Sequence, residues 1–287
     1  MKVTVLEPSG YCSGVERAMK IAFKTKEDNP SKSVVVLGML VHNEDSLKEL
    51  EKHDIKTIYE QNCSYEQLID KINEPSIVIL TAHGHSKAVE QKLIEKGHEI
   101  VDATCPFVEN SFKEIKKSLS KDLNVFYVGV KNHPECTAAL SISEKVLFID
   151  VKNPVIPKID CVSPLVISQT TLSQLEVFKI YMDIEKAYPK AKISKGICHA
   201  STDRQLALGK LDKDVDIIYV VGGTNSNNSK TLFNIAKGLY PDKKVLLIQN
   251  ASEINKKDLV GLSHIAISSG ASTPKSVIEE IKNNLLN

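Results

Sequence analysis

The sequence lacks an excess of charge of either sign, and it lacks long apolar runs. Its 37 basic and 36 acidic residues leave a net charge of +1, so nothing indicates the one-signed field of a protein that binds nucleic acid or a membrane surface. No stretch approaches the roughly 20 apolar residues that span a bilayer, and the N-terminal apolar run is too short for a signal peptide. We therefore expect a cytoplasmic protein with no nucleic-acid or membrane partner.

Paired cysteines are also absent. The six cysteines include no Cys-x-x-Cys knuckle of the kind that structural zinc sites use. In a reducing compartment they are not expected to form disulfides, so those that matter should be ligands, nucleophiles or small buried hydrophobes. Residues 223–231 have the wrong length and one glycine too few for a nucleotide P-loop.

What the chain does contain is a threefold internal repeat. Cys12, Cys105 and Cys198 are spaced by 93 residues and again by 93, and each follows a short strand pattern and precedes a helix pattern. The third helix is indicated by the weakest stripe, formed by Leu206, Leu208 and Leu211. Apolar runs that end in polar turns follow at equivalent places, and their last glycines are Gly38, Gly129 and Gly222.

The alternation of about four strands with helices in each repeat predicts an α/β fold with mostly parallel sheets. We place three pseudo-repeated α/β domains at residues 14–103, 104–196 and 197–287. Ligands of such folds bind at the carboxyl ends of the strands, which is where all the polar turns lie.

The three repeated cysteines are candidate ligands of one metal centre. Three soft thiolates with no obvious fourth ligand favour an iron-sulfur cluster that keeps one iron open. His199, beside Cys198, keeps a zinc site with three cysteines and one histidine open as an alternative. The remaining cysteines are interpreted as structural, although one of them directly follows Glu135; they are Cys63, Cys136 and Cys161.

The polar turns offer donors for an anion and one candidate acid. Histidines with neutral donors at strand ends and helix N-termini suit a diphosphate. The candidate binding residues are His42, His83, His133, Thr170, Ser226, Asn228 and Ser272. Glu135 follows His133-Pro134, and in a closed cavity its carboxyl can hold a proton at neutral pH, which makes it the candidate general acid.

These motifs, in this order, closely resemble the 4-hydroxy-3-methylbut-2-enyl diphosphate reductase family of the non-mevalonate isoprenoid pathway. The resemblance covers essentially the whole chain. It rests on Gly-Tyr-Cys12-Ser-Gly-Val, Val-His42-Asn, Ala-His83-Gly, Asp-Ala-Thr-Cys105-Pro, His133-Pro-Glu135, Gln169-Thr170-Thr171, Cys198, Asn225-Ser226-Asn227-Asn228-Ser229 and Gly-Ala-Ser272.

The resemblance implies a trefoil of three α/β domains around a 4Fe-4S cluster, with the N-terminal strand, residues 1–13, completing the third domain. It implies Cys12, Cys105 and Cys198 as cluster ligands. It assigns diphosphate binding to His42, His83, His133, Ser226, Asn228 and Ser272, and proton delivery to Glu135 with Thr170, beside His133. Asn227 stands where a second serine is common, and we assign it no role.

The implied reaction is a reductive dehydroxylation with two electrons and two protons that gives isopentenyl and dimethylallyl diphosphate. Because no Gly-x-Gly-x-x-Gly fingerprint follows a strand, the electrons should come from a ferredoxin or flavodoxin. Two alternatives remain open: a protein that senses a phosphorylated metabolite or redox state without catalysis, and a zinc hydrolase.

Overall fold

The computed structural model describes residues 1–194 and 196–286, so residues 195 and 287 of the second and third predicted domains lie outside the described residues. The chain divides into two compact units. The first unit contains Met1–Val15, His42–Lys48 and His199–Asn287, and the second contains Glu16–Val41 and Glu49–Cys198. None of the described helices is long and apolar enough to cross a bilayer.

Strands and helices alternate along the chain. The strands are β1 (Lys2–Val5), β2 (Val34–Leu37), β3 (Lys56–Ile58), β4 (Ile77–Leu80), β5 (Glu99–Asp102), β6 (Val125–Gly129), β7 (Val146–Asp150), β8 (Leu165–Ser168), β9 (Lys192–Ile193), β10 (Ile217–Val221), β11 (Lys244–Ile248) and β12 (His264–Ser269). The α-helices are α1 (Ser13–Asp28), α2 (Glu44–Lys52), α3 (Tyr65–Ile69), α4 (Lys87–Glu95), α5 (Pro106–Leu119), α6 (Pro134–Leu140), α7 (Gln174–Ala187), α8 (His199–Leu208), α9 (Asn227–Leu239) and α10 (Lys275–Leu286). Short 3-10 helices cover Ala251–Glu253 and Lys256–Leu259.

The strands form three four-stranded sheets, all parallel, which confirms the predicted fold class. Their orders are β3-β2-β4-β5, β7-β6-β8-β9 and β11-β10-β12-β1. The three orders are equivalent, because β1 takes the place in the third sheet that β5 and β9 take in theirs. The boundaries given above for the three domains stay a prediction.

Burial explains why the central strands read as continuous apolar runs. In each sheet the two central strands are buried along their whole length, as in β2, β6 and β10, whereas outer strands such as β9 are exposed. Parallel strands covered by helices on both faces carry few polar residues. The polar residues therefore gather in the loops that follow the strands.

The two faces of the second sheet pack against different helices. Tyr127 and Ile167 face Ile115 of α5 and Ala139 of α6. Phe126 and Val128 belong to a separate cluster with Val177, Ile180 and Ile184 of α7. Alternate residues of β6 thus point to opposite faces, and this alternation directs the Tyr127 side chain towards α6.

One helix departs from the sequence interpretation. The predicted leucine stripe after Cys198 is wrong at Leu206, which is 54% exposed, whereas Leu208 is buried at the end of α8. The buried residues of α8 include polar ones beside Ala207 and Leu208. Arg204 is buried, and its guanidinium donates to the carbonyl oxygens of Ala200 at 3.0 Å and Gly10 at 2.7 Å.

Candidate functional site

Glu135 lies at the start of a helix that the local sequence fixes. His133 is the N-cap of α6, and its Nδ1 accepts a hydrogen bond from the backbone N–H of Glu135 at 3.2 Å. Pro134 occupies the first helical position, where its fixed φ favours helix initiation. The turn holds the Glu135 side chain inside the protein, where it is 1% exposed.

Three donors surround the Glu135 carboxylate. The Thr170 backbone N–H donates to Oε1 at 2.9 Å, and the Tyr127 hydroxyl donates to the same oxygen at 3.0 Å. The Thr170 hydroxyl donates to Oε2 at 2.8 Å. The structure therefore brings together the two residues that the sequence assigned to proton transfer, Glu135 and Thr170.

The environment moves the pKa of Glu135 towards neutrality. Burial raises the pKa of Glu135 from its ordinary value of 4.5 to about 7, against the opposing effect of the hydrogen bonds from Thr170 and Tyr127. A carboxyl group with this pKa is populated in both protonation states at neutral pH, which is the property that general acid catalysis requires.

A buried glutamine fixes the loop that carries Thr170. The side-chain Oε1 of Gln169 accepts from the backbone N–H of Val130 at 3.0 Å and from the Cys136 thiol at 3.3 Å. Its amide nitrogen donates to the Thr171 hydroxyl at 3.0 Å. Burial raises the pKa of Cys136, so this thiol stays protonated and acts as a donor. The Cys136 thiol thus anchors the loop beside the acid, and the interpretation of Cys136 as structural stays a prediction.

Two histidines flank the same end of the second unit. His83 follows β4, His133 follows β6, and their ring centroids lie 5.5 Å apart in an edge-to-face arrangement. Because Nδ1 of His133 accepts from a backbone N–H, the neutral ring carries its proton on Nε2 and presents that nitrogen as a donor.

The three repeated cysteines occupy equivalent backbone positions. The N–H of Cys105 donates to the Ala82 carbonyl at 3.0 Å, that of Cys198 to Thr170 at 3.1 Å, and that of Cys12 to Ala271 at 2.9 Å. Each acceptor is the second residue after β4, β8 or β12. The three thiols are partly exposed and none forms a disulfide, which is the state that a metal-ligating thiolate needs.

The first unit gathers neutral donors in one place. Ser226 caps α9 by accepting from the Ser229 N–H at 3.3 Å. The Asn228 Oδ1 accepts from the backbone N–H of Ala271 at 2.9 Å, and its amide donates to the Ser201 hydroxyl at 3.2 Å. The Ser272 hydroxyl donates to the His42 carbonyl at 3.4 Å. These contacts bring His42, Ser226, Asn228 and Ser272 to the carboxyl ends of β10 and β12.

His42 is neutral at physiological pH. Burial, reinforced by the charge of Lys230, lowers the pKa of His42 from its ordinary value of 6.5 to about 4. A neutral imidazole still offers one N–H to an anion, so His42 adds a donor to this region without adding a charge.

A second cluster of possible metal ligands lies at the opposite end of the third sheet. Asp212, Asp214 and His264 place ligand atoms within 4.8 Å of one another. Both ring nitrogens of His264 already have partners, with Nδ1 2.9 Å from Asp214 Oδ1 and Nε2 2.8 Å from Thr4 Oγ1. Internal hydrogen bonds therefore account for this cluster.

Comparison with known proteins gives the family. The sequence pattern of the LytB protein family matches residues 3–286. The chain belongs to the LytB family. The 4-hydroxy-3-methylbut-2-enyl diphosphate reductase of Malacoplasma penetrans is 34% identical over 281 residues, covering 96% of this chain and 93% of that protein. The reductase of the same name from Bacillus cereus (strain AH820) is 36% identical over 287 residues, covering 98% and 89%.

Solved structures agree with this membership. The E-1-hydroxy-2-methyl-but-2-enyl-4-diphosphate reductase from Plasmodium falciparum matches with a TM-score of 0.86 at 24% identity, covering 100% of this chain and 88% of that one, and shows the same fold. A structure of (E)-4-hydroxy-3-methyl-but-2-enyl diphosphate reductase matches with a TM-score of 0.66 at 27% identity, covering 100% and 99%. As a LytB member whose relatives are reductases, this chain is an oxidoreductase.

Tyr127 was not among the predicted site residues. It lies inside an apolar strand and was counted only as part of that strand, yet its hydroxyl binds the candidate acid at 3.0 Å. A tyrosine in a fully buried strand needs a partner for its hydroxyl, and that need was the available signal. The sequence did not reveal which residue the partner would be.

Proposed function

We propose that this LytB-family oxidoreductase removes the hydroxyl group of 4-hydroxy-3-methylbut-2-enyl diphosphate reductively. The reaction takes up two electrons and two protons, breaks the carbon-oxygen bond of the hydroxyl, and releases water with isopentenyl or dimethylallyl diphosphate. Family membership and the names of the relatives support this substrate. The observation that carries the mechanism is the buried Glu135 carboxyl with its raised pKa beside Thr170.

The cofactor in this proposal is a 4Fe-4S cluster held by Cys12, Cys105 and Cys198. The residues fit it, because the three thiols are partly exposed, are not in disulfides and occupy equivalent turns. Three thiolates leave one iron of such a cluster without a protein ligand, and when bound the cluster supplies a Lewis acid and passes single electrons. A ferredoxin or flavodoxin is the proposed electron donor.

Proton delivery follows from the contacts of Glu135. The protonated carboxyl donates from Oε2 to the Thr170 hydroxyl, and that hydroxyl passes its own proton to the departing oxygen, which leaves as water. Glu135 is then a carboxylate that accepts all three surrounding hydrogen bonds. A second proton adds to the carbon chain at one of two positions, and this choice gives the two products.

The remaining predicted residues bind the diphosphate in this proposal. They supply imidazole, hydroxyl and amide donors without adding a large positive charge, and they are His42, His83, His133, Ser226, Asn228 and Ser272. His133 presents its Nε2–H because Nδ1 is occupied by the Glu135 backbone. Asn228 is held at Oδ1 by Ala271 and has an amide hydrogen beyond the one given to Ser201.

Anaerobic purification followed by turnover tests the proposal. We expect a brown protein with iron and sulfide that converts the substrate when given a low-potential reductant. Glu135→Gln should still bind the substrate but lose about 100-fold or more in kcat, since the general acid is removed. The exposed Glu144, in the turn before β7, provides the matched control, Glu144→Gln, which should keep full activity.

Two results would contradict this function. Colourless protein that binds zinc and cannot be reconstituted with iron and sulfide would favour the zinc alternative. Full kcat in Glu135→Gln would remove this residue from proton delivery while leaving the cluster assignment standing.

A further inference from the structure

Tyr127 donates to the candidate acid from the centre of a sheet. It is the third residue of β6, is fully buried, and its hydroxyl lies 3.0 Å from Oε1 of Glu135. Burial, and then the charge of Glu135, raises the pKa of Tyr127 well above its ordinary value of 10. The phenol therefore stays protonated at neutral pH, where the Glu135 carboxyl titrates.

The two carboxyl oxygens of Glu135 have different partners. Among the described residues, Oε1 receives the Thr170 backbone N–H and the Tyr127 hydroxyl, whereas Oε2 receives the Thr170 hydroxyl alone. A backbone N–H can only donate, but a hydroxyl can donate or accept. A proton on Oε1 would face the Thr170 N–H and would leave the O–H of Tyr127, which is buried and bonded to Glu135, without a described acceptor. A proton on Oε2 is accepted by the Thr170 hydroxyl once that group rotates.

We propose that Tyr127 is a positioning residue that occupies Oε1 of Glu135 and so leaves Oε2, the oxygen beside the Thr170 hydroxyl, to carry the proton that is transferred. This inference rests on the proposed role of Glu135 as the acid. It extends that role by assigning the proton to one oxygen and by naming the group that directs it there.

The thiol and the second phenol near the pair, Cys136 and Tyr181, keep their protons at neutral pH. Cys136 on α6 and Tyr181 on α7 both have pKa values raised chiefly by burial. Asp150, at the end of β7, acts on Cys136 as one of the weaker influences on that thiol, and His133 turns its Nδ1 towards the Glu135 backbone. Neither Cys136 nor Tyr181 therefore changes its charge near neutral pH, where Glu135 does.

The third sheet provides a matched control for the loss of a buried tyrosine hydroxyl. Tyr219 is the third residue of β10, as Tyr127 is of β6, and it is equally buried. Its hydroxyl makes no hydrogen bond within residues 1–194 and 196–286. Tyr219→Phe thus removes the same atom from an equivalent strand without touching a carboxyl group.

The experiment titrates Glu135 in the cluster-loaded protein without substrate. The infrared carbonyl band of the protonated carboxyl is followed with pH and assigned by its loss in Glu135→Gln. In Tyr127→Phe the carboxylate loses one donor, so its pKa should rise by about one unit. Tyr219→Phe should titrate as the parent protein does.

Turnover supplies a second readout. Because the acid works in its protonated form, the pH at which kcat falls on the alkaline side should move up by the same amount in Tyr127→Phe. At low pH, where Glu135 is fully protonated, kcat should still fall several-fold, since the proton is then shared between both oxygens. Incorporation of 3-fluorotyrosine at position 127, which gives a stronger donor and keeps the ring, should move the titration downwards.

The outcomes separate this inference from the proposed function. An unshifted carboxyl titration in both Tyr127 variants would overturn the role of Tyr127, whatever the turnover. A shifted titration with an unchanged kcat profile would keep the control of Tyr127 over the carboxyl but overturn Glu135 as the acid. Equal shifts in Tyr127→Phe and Tyr219→Phe would assign the effect to packing and overturn the inference.

Discussion

Glu135 and Asn228 occupy the same position in two equivalent repeats, at the start of α6 and of α9. Each is the second residue after a helix N-cap, His133 in one case and Ser226 in the other. Each accepts a backbone N–H from the second residue after the neighbouring central strand, which is Thr170 for Glu135 and Ala271 for Asn228. The two repeats thus share their backbone geometry and differ in the group placed on it.

That single difference separates two kinds of chemistry. A carboxyl group can release a proton, and burial raises the pKa of Glu135 to about 7, whereas the Asn228 amide can only orient hydrogen bonds. The central strands differ in the same way. The Tyr127 hydroxyl on β6 donates to the Glu135 carboxyl, whereas the Tyr219 hydroxyl on β10 binds no described group. The second sheet is therefore suited to proton transfer and the third to holding an anion by neutral donors.

The largest expected effect concerns the cysteines that occupy equivalent turns in all three repeats. Cys105→Ser and Cys12→Ser should each abolish turnover and lower the iron and sulfide content, because each removes one of three proposed thiolate ligands. Cys161, partly exposed but outside the repeat, serves as the control, and Cys161→Ser should keep both. Metal analysis and visible absorption measure the result. An intact cluster with activity in either ligand variant would contradict the assignment.

The next prediction places a carboxylate at Asn228, the position in the third repeat that Glu135 takes in the second. Asn228→Asp is nearly isosteric and keeps the acceptor for the Ala271 N–H, but it places a negative charge where the diphosphate is proposed to bind. We expect the Kd of the substrate to rise about 100-fold, with a smaller change in kcat. Titration calorimetry measures it.

Its control adds the same charge elsewhere in the first unit. Asn255 is an exposed cap of a short 3-10 helix, and Asn255→Asp should leave the Kd unchanged. Equal affinities of the Asn228→Asp variant and the parent protein would place the diphosphate away from the third sheet.

The fold could be predicted from the sequence because the three repeats share the same local patterns. The 93-residue spacing of Cys12, Cys105 and Cys198 corresponds to equivalent backbone contacts of the three cysteines. The polar turns after central strands were found because parallel strands align their carboxyl ends.

What the sequence did not reveal are pairings between distant segments. The bond between Gln169 and Cys136 joins residues 33 positions apart and depends on the register of β6 and β8. The buried face of α8 was predicted as apolar, but Arg204 lies there because distant and local carbonyl groups satisfy it. Such partners follow from tertiary packing, which no local pattern encodes.

The smallest expected effect is a pair of opposite pH dependences in stability. The folded pKa of Glu135 is raised from 4.5 to about 7, so its stabilisation is present below pH 4.5 and lost as the pH rises through 7. The folded pKa of His42 is lowered from 6.5 to about 4, so its stabilisation is present above pH 6.5 and lost as the pH falls through 4. Between pH 4.5 and 6.5 the two contributions oppose each other.

Replacing either Glu135 or His42 should reveal the pH dependence of stability that the other residue causes. In Glu135→Gln the free energy of unfolding should rise with pH between 4.5 and 6.5, by about 1.4 kcal/mol per pH unit relative to the parent protein. In His42→Asn it should fall with a similar slope, and Glu144→Gln should follow the parent. Urea unfolding at several pH values measures these slopes. Parallel curves for Glu135→Gln and the parent would show that Glu135 has the same pKa in the folded and unfolded chains. The second sheet would then no longer differ from the third in its suitability for proton transfer.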